Sequence, residues 1–142
     1  SATDLVRNAL RMRPERIIIG ECRGSETLDM LQAMNTGHEG SMTTLHANTT
    51  RDALGRLLMM AGLSSAQVSE QLLNQTVSRA IHLIVQLQRC GDGSRRGVSI
   101  SEITGMEGSV ITMQEIFLFE KLGVKSVAEL VRAVVEHRAL RP

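Results

Sequence analysis

The stretch Arg16-Ile-Ile-Ile-Gly-Glu-Cys-Arg-Gly24, followed by Thr36-Gly-His-Glu-Gly-Ser-Met-Thr-Thr-Leu-His-Ala-Asn48, decides how the chain is read. Ile17 to Ile19 form a short apolar run between Pro14 and Gly20, the pattern of a strand buried on both faces in a parallel sheet. The run delivers Glu21 to its C-terminal end, where open α/β sheets bind their ligands. A polar loop then leads into a second expected strand, Met42 to Leu45, which carries His46 to the same edge. An acid and an imidazole side by side at one sheet edge make a reaction site if a substrate is placed between them.

Outward from these strands, the pattern is helical on both sides. Ser1 to Arg13 reads as a helix with Leu5, Val6, Ala9, Leu10 and Met12 as its apolar stripe and Pro14 as its stop. The chain opens inside an element, which suggests a fragment. Ser25 is expected to cap a second helix, with Glu26 and Asp29 in its first turn favoured by the helix dipole. Leu28, Leu31 and Met34 face inward there, and Gly37 supplies the stop. This helix–strand–helix–strand order is the rhythm of a parallel sheet with crossover helices.

A third helix is expected from about Arg51 to Ala61, with Ala53, Leu57 and Met60 on its inner face and Gly62 breaking it. Ser64 and Gln67 form a capping-box pattern that opens a fourth, running to about Ala80, with Val68, Leu72, Leu73, Val77 and Ile81 inward. The period then changes to two. Leu83, Val85 and Leu87 alternate with His82, Gln86 and Gln88, and Cys90-Gly-Asp-Gly-Ser94 is strong turn chemistry. Val98 and Ile100 alternate with Ser99 and Ser101, Gly105 to Gly108 reads as a second turn, and Ile111, Met113, Phe117 and Phe119 share one face of a third strand. Ser126 to Leu140 reads as a last amphipathic helix. The expected fold class is α/β: parallel strands with crossover helices, then an antiparallel strand meander, in one structural unit.

Composition narrows the function classes. At 142 residues the chain is long enough for one domain with a sizeable core. Phe117 and Phe119 are the only aromatics, which argues against base stacking on single-stranded nucleic acid. A net charge of +1 offers no electrostatic case for DNA or an anionic membrane. Cys22 and Cys90 form no CxxC and no disulfide framework, which suits a reducing compartment. No stretch approaches the ~20 apolar residues of a membrane span, and no signal peptide is recognisable. The expectation is a soluble cytoplasmic domain.

Glu21 is the sharpest candidate. A carboxylate there can orient or deprotonate a water that attacks a γ-phosphate, with Mg²⁺ nearby; the plainer alternative is a surface acid paired with Arg23 or Arg16. His46, among Thr43, Thr44 and Asn48, can donate to a terminal phosphate, or simply bond to backbone as strand-end histidines commonly do. His38, in the loop after Gly37, is open to either role. Arg11, Arg13, Arg23, Arg51 and Arg56 surround these motifs and can reach a phosphate across a subunit boundary, or serve as solvated helix-face charges. Arg95 and Arg96 fall at a hairpin tip. A zinc site is set aside, because His38-Glu39 would need histidine where Met42 stands. A serine hydrolase is set aside too, for want of G-x-S-x-G.

Leu10-Arg-Met-Arg-Pro-Glu-Arg-Ile-Ile-Ile-Gly-Glu-Cys-Arg-Gly24 resembles the Walker B box of the type II/IV secretion ATPases, and Ala33 to Asn48 resembles their His box. Arg51-Asp-Ala-Leu54, Gly105-Met-Glu-Gly108 and Phe117-Leu-Phe-Glu120 are most similar to the Tad/Flp pilus-assembly branch. The resemblance covers roughly residues 3–120. It implies the C-terminal half of a RecA-like motor that works as a homo-hexamer at the cytoplasmic face of an inner-membrane pilus or secretion apparatus. ATP and Mg²⁺ are the implied cofactors, and inner-membrane platform proteins the implied partners. Nucleic acid is not among them, although conjugative relatives serve DNA transfer. By this resemblance Glu21 is the Walker B catalytic acid and reaches Mg²⁺ through water, while Arg23 contributes to nucleotide binding. His38 and His46 are the His-box contacts, with His46 on the γ-phosphate.

The chain departs from the family pattern in one decisive respect. The phosphate-binding loop G-x-x-x-x-G-K-[ST] is absent: the only lysines are Lys121 and Lys125, neither preceded by glycine. Without those amides and that lysine nothing here cradles the β- and γ-phosphates. Leu58-Met-Met-Ala-Gly62 is a few residues shorter than the corresponding family segment, Cys22 replaces an aliphatic residue, and residues 121–142 lie outside the recognised motifs. The expectation is therefore half of an ATPase site, inactive alone. The alternative is a non-catalytic assembly module of the same hexameric machine, and a metal hydrolase is a weaker third.

Overall fold

The computed structural model describes residues 1–63 and 68–118. Helix α1 (Ala2–Arg11) is started by a capping box: the Ser1 hydroxyl accepts from the Asp4 amide, and the Asp4 side chain accepts from the N-terminus of Ser1. It ends at Met12, and Arg13 takes a left-handed turn, φ 51°, ahead of Pro14. Of its apolar stripe, Val6 is buried, whereas Leu5 and Met12 are 72% and 77% exposed. Arg7 ties the helix to Asp29 on α2 (Glu26–Met34) at 3.0 Å.

The two strands of the opening motif pair in parallel. Strand β1 (Ile18–Ile19) sets Ile18 against Met42 and Ile19 against Thr43 of β2 (Met42–Thr43). Bonds on either side lengthen the pairing: the Met42 amide donates to the Ile17 carbonyl at 3.0 Å, and the Cys22 amide to the Thr44 carbonyl at 2.9 Å. Burial on both faces is not what the structure shows. Ile17 is buried and Ile19 packs against the core, but the cross-strand partners Ile18 and Met42 are 72% and 57% exposed. The alternation of a strand sends these two to the face away from the core, and among the described residues the parallel sheet has two strands only.

Helix α3 (Thr50–Leu63) runs straight through Gly62 rather than breaking there. A Cβ at that glycine would stand 3.6 Å from a Leu73 methyl of α4 (Glu70–Ala80), an ordinary contact distance, so the packing there does not demand glycine. Ser69 caps α4 by accepting from the Leu72 amide, and the expected capping pair Ser64 and Gln67 lies outside the described residues. Leu73 and Val77 are buried as expected, while Leu72 is half exposed. These helices close the core: Met30 and Leu31 of α2, Leu54, Leu57, Met60 and Ala61 of α3, and Leu73, Val77 and Ala80 of α4 meet Cys22, Ile103 and Ile111. Burial of each large side chain is worth about 1.5–3 kcal/mol.

The meander is confirmed as a three-stranded antiparallel sheet, ordered β3 (Leu83–Arg89), β4 (Arg95–Glu107), β5 (Val110–Leu118). Its inner face differs from the expectation. Ile84 packs on the core, whereas Val85 and Leu87 are 36% and 50% exposed. Counting from Leu83 chose the wrong face in an all-apolar Leu-Ile-Val run, and a bulge between Gln86 and Leu87 then shifts the register. Gly105 is not in the second turn but inside β4, at a second irregularity, with φ 133°. The reversal falls at Gly108 and Ser109. The Phe117 side chain, Phe119 and the expected helix 126–140 lie outside what is described.

Candidate functional site

At the C-terminal ends of β1 and β2 the chain leaves the sheet through two loops stitched together. The Thr44 hydroxyl donates to the Gly20 carbonyl at 2.6 Å, next to the Cys22–Thr44 backbone bond. These bonds place Glu21 on one loop and His46 on the other within reach. Glu21 Oε1 lies 3.2 Å from His46 Nε2, and Oε2 lies 2.5 Å from an Arg23 nitrogen. The carboxylate is 24% exposed, the histidine and arginine side chains 83% and 76%, so both partners approach from the solvent side. The Arg23 hydrogen bond holds the Glu21 carboxyl below the usual range against the opposing effect of burial; the charges of Arg23, His46 and Arg56 act in the same direction as the bond. The second loop is anchored as well: Gln86 of β3 donates to the Ala47 carbonyl, and Ser101 of β4 donates to Thr50 at the start of α3.

His38 is not brought to this site. Its Nδ1 lies 3.1 Å from the Ala33 carbonyl at the end of α2. Its own carbonyl accepts from Ser41, whose hydroxyl accepts from the Ile17 amide. His38 thus belongs to the N-terminal edge of the parallel pair, opposite Glu21 and His46. Gly40, φ 79°, turns the chain there, and a Cβ on it would come within 2.9 Å of the Arg16 side chain, so Arg16 is occupied with this loop. Arg51 reaches the Ile111 carbonyl at 3.4 Å, and Arg96 pairs with Asp92 at the hairpin tip. Of the candidate arginines, Arg23 bonds the acid, and the charge of Arg56 acts on it without a bond between them.

Two groups of the site were not singled out in the sequence. Cys22 is buried, donating to the Met30 sulfur at 3.4 Å and accepting from Thr43 at 3.3 Å, and burial pushes its thiol up. Glu26 is a buried carboxylate that accepts from the amides of Arg23 and Gly24. Its place in a helix's first turn explained it sufficiently by charge and dipole, so its burial left no separate trace in the residue pattern. No group of three or more His, Cys, Asp or Glu able to hold a metal occurs among the described residues.

An acid, an arginine and a histidine thus meet at the end of a parallel strand pair, in an α/β unit backed by three helices and an antiparallel meander. The crystal structure of the VirB11 ATPase from the Brucella suis type IV secretion system, in complex with sulphate, superposes with a TM-score of 0.65 at 26% identity. That match covers 70% of this chain and 32% of that one. The Legionella pneumophila ATPase DotB gives 0.52 at 28% identity, over 85% and 28%. The conjugal transfer protein TrbB of Rhizobium radiobacter is 40% identical over 104 residues, 73% of this chain and 30% of the relative. The type IV secretion system protein PtlH of Bordetella pertussis is 41% identical over 101 residues, 69% and 30%. The profile of the Type II/IV secretion system protein family matches residues 1–136, and the chain belongs to that family. The match continues past residue 120, where the recognisable motifs stop. The aligned part makes up about a third of the length of these relatives.

Proposed function

We propose that the chain is the C-terminal part of a secretion motor ATPase and carries one side of its hydrolytic site. The observation that supports this reading most is the Glu21–His46 contact at the C-terminal edge of two parallel strands. In this reading residues 1–120 complete the ATPase domain, and residues 121–142 follow it. Glu21 positions the water that attacks the γ-phosphate. Because its carboxyl is held below the usual range it is a weak base, so its part is orientation of the water more than removal of its proton. His46 and Arg23, both exposed and both on the Glu21 carboxylate, are free to exchange that partner for a phosphate oxygen. The nucleotide would bring Mg²⁺, which neutralises charge on the phosphates; Glu21 would face it through water. His38 serves the opposite edge as a loop anchor.

The partners follow from the same reading: further copies in a homo-hexamer, and membrane-bound platform proteins at the cytoplasmic face. No helix among the described residues is long and apolar enough to cross a membrane, which agrees with peripheral attachment. Type IV secretion or conjugal transfer is the branch named by the relatives, and Tad/Flp pilus assembly is the narrower branch suggested by residues 105–108 and 117–120. Lacking the phosphate-binding loop, this chain by itself should not turn over ATP. The test compares Mg²⁺-dependent ATP hydrolysis by this chain with that of a longer polypeptide carrying the upstream coding sequence. Turnover confined to the longer polypeptide supports a half-site. Turnover by neither favours an assembly module that kept the motor's shape.

A further inference from the structure

A buried carboxylate with no cation on it among the described residues needs a reason, and Glu26 is such a group. It sits in the first turn of α2, 7% exposed. Ser25, at the N-cap position, makes no capping bond to the helix: its backbone is helical, and its hydroxyl shares a bond with Thr3 instead. Glu26 folds back in its place. Its Oε1 accepts from the Arg23 amide at 2.6 Å and from the Gly24 amide at 3.0 Å. Burial raises its carboxyl, but bonds from the amides of Arg23, Glu26 itself and Gly24 outweigh burial and leave it below the usual range. A charged acceptor on amides at a helix start is a strong arrangement.

The segment so gripped is the one that carries the site. Between the end of β1 and the start of α2 the chain offers the amide of Cys22 to Thr44, and the amides of Arg23 and Gly24 to Glu26. From this segment the Glu21 side chain reaches His46, and the Arg23 side chain reaches Glu21. We propose that Glu26 is a positioning residue: its carboxylate clamps the Arg23–Gly24 backbone and thereby fixes where Glu21 and Arg23 stand. Glu26 touches neither Glu21 nor His46, so it acts through the backbone alone. This rests on the reading of Glu21 as the acid of an ATPase site. An error of about 1 Å in the placing of a reacting group costs up to about 100-fold in rate.

The experiment has two arms. In this chain, the Arg23 and Gly24 amide resonances are followed from pH 7 down to pH 2. Their proton shifts move together through one transition, below the usual glutamate range, and the transition vanishes in Glu26→Gln. Cys22, whose thiol feels both Glu26 and Glu21, titrates far above this window, and Glu21→Gln removes the other nearby carboxylate as a cause. In the longer polypeptide with the upstream sequence, Glu26→Ala lowers kcat for ATP about 30–100-fold with KM changed less than about threefold. Glu26→Gln, which keeps an acceptor oxygen, recovers most of kcat. Amide shifts indifferent to Glu26→Gln, or a folded Glu26→Ala protein with wild-type kcat, would overturn the proposal. If the longer wild-type polypeptide hydrolyses no ATP, the reading of Glu21 fails instead, and the amide titration alone decides whether Glu26 clamps the loop.

Discussion

Gly55 offers a clean test of the helix that backs the site. It lies well inside α3 (Thr50–Leu63), next to Arg56, on an exposed face. A Cβ built on it meets nothing within 4 Å, and its φ is not in the left-handed region. Gly55→Ala therefore adds no clash and no packing contact, and the change isolates the helix-forming preference of alanine over glycine, about 0.8–1.0 kcal/mol in a helix interior. For a chain of this length that gain raises Tm by about 3–5 °C. Gly40→Ala is the matched opposite: φ is 79° and the new Cβ would sit 2.9 Å from Arg16, so it should cost about 1–3 kcal/mol. Thermal unfolding followed by circular dichroism reads both. If Gly55→Ala leaves Tm unchanged or lowers it, residues 50–63 are not the continuous helix described.

Further outcomes are expected. Leu31, fully buried beneath the site, should cost about 2–5 kcal/mol as Leu31→Ala, read as a lower urea midpoint with unchanged slope. Asp4, Glu21, Glu26 and Asp92 all have carboxyls below their usual values of 3.8 or 4.5. Each binds its proton more weakly folded than unfolded, so its contribution is complete above the unfolded value and is lost as pH falls through the lower folded one. Urea midpoints should hold from pH 7 to about pH 5 and drop below that; a midpoint that rose on acidification would contradict these shifts. The exposed partners Ile18 and Met42 leave an apolar strip on a two-stranded sheet, so the isolated chain should self-associate in light scattering, and Ile18→Lys should reduce it. A monodisperse wild-type monomer would contradict this.

The fold class and the meeting of Glu21 with His46 were both legible in the sequence, the second for a physical reason. Glu21 follows the Ile17–Ile19 run and His46 follows the expected strand Met42–Leu45, and the C-terminal edge of parallel strands is a property of topology, so residue order alone set them side by side. His38 could not be placed the same way. It precedes its strand, and only the Ala33 and Ser41 bonds show it at the other edge. Gly62 misled because a glycine is a helix stop only where φ turns positive; here it stays helical beside Leu73. In β3 three successive apolar residues gave no alternation to read, and which of Ile84 and Val85 faces inward was settled by the helices packed on that side. Ile18 shows the opposite failing: the residue type is that of a doubly buried strand, while the described layers cover one face. Glu26 was visible as a first-turn acid, but the backbone bonds that make it a clamp depend on a loop bend that local sequence does not specify.

The role proposed for Glu21 lies mainly in the hydrolytic step. Its most direct test is single-turnover ATP hydrolysis by the longer polypeptide with Glu21→Gln, with the nucleotide Kd measured in parallel. The expected rate is at least about 100-fold lower with Kd within a few-fold of wild type. An unchanged rate at unchanged Kd would contradict it.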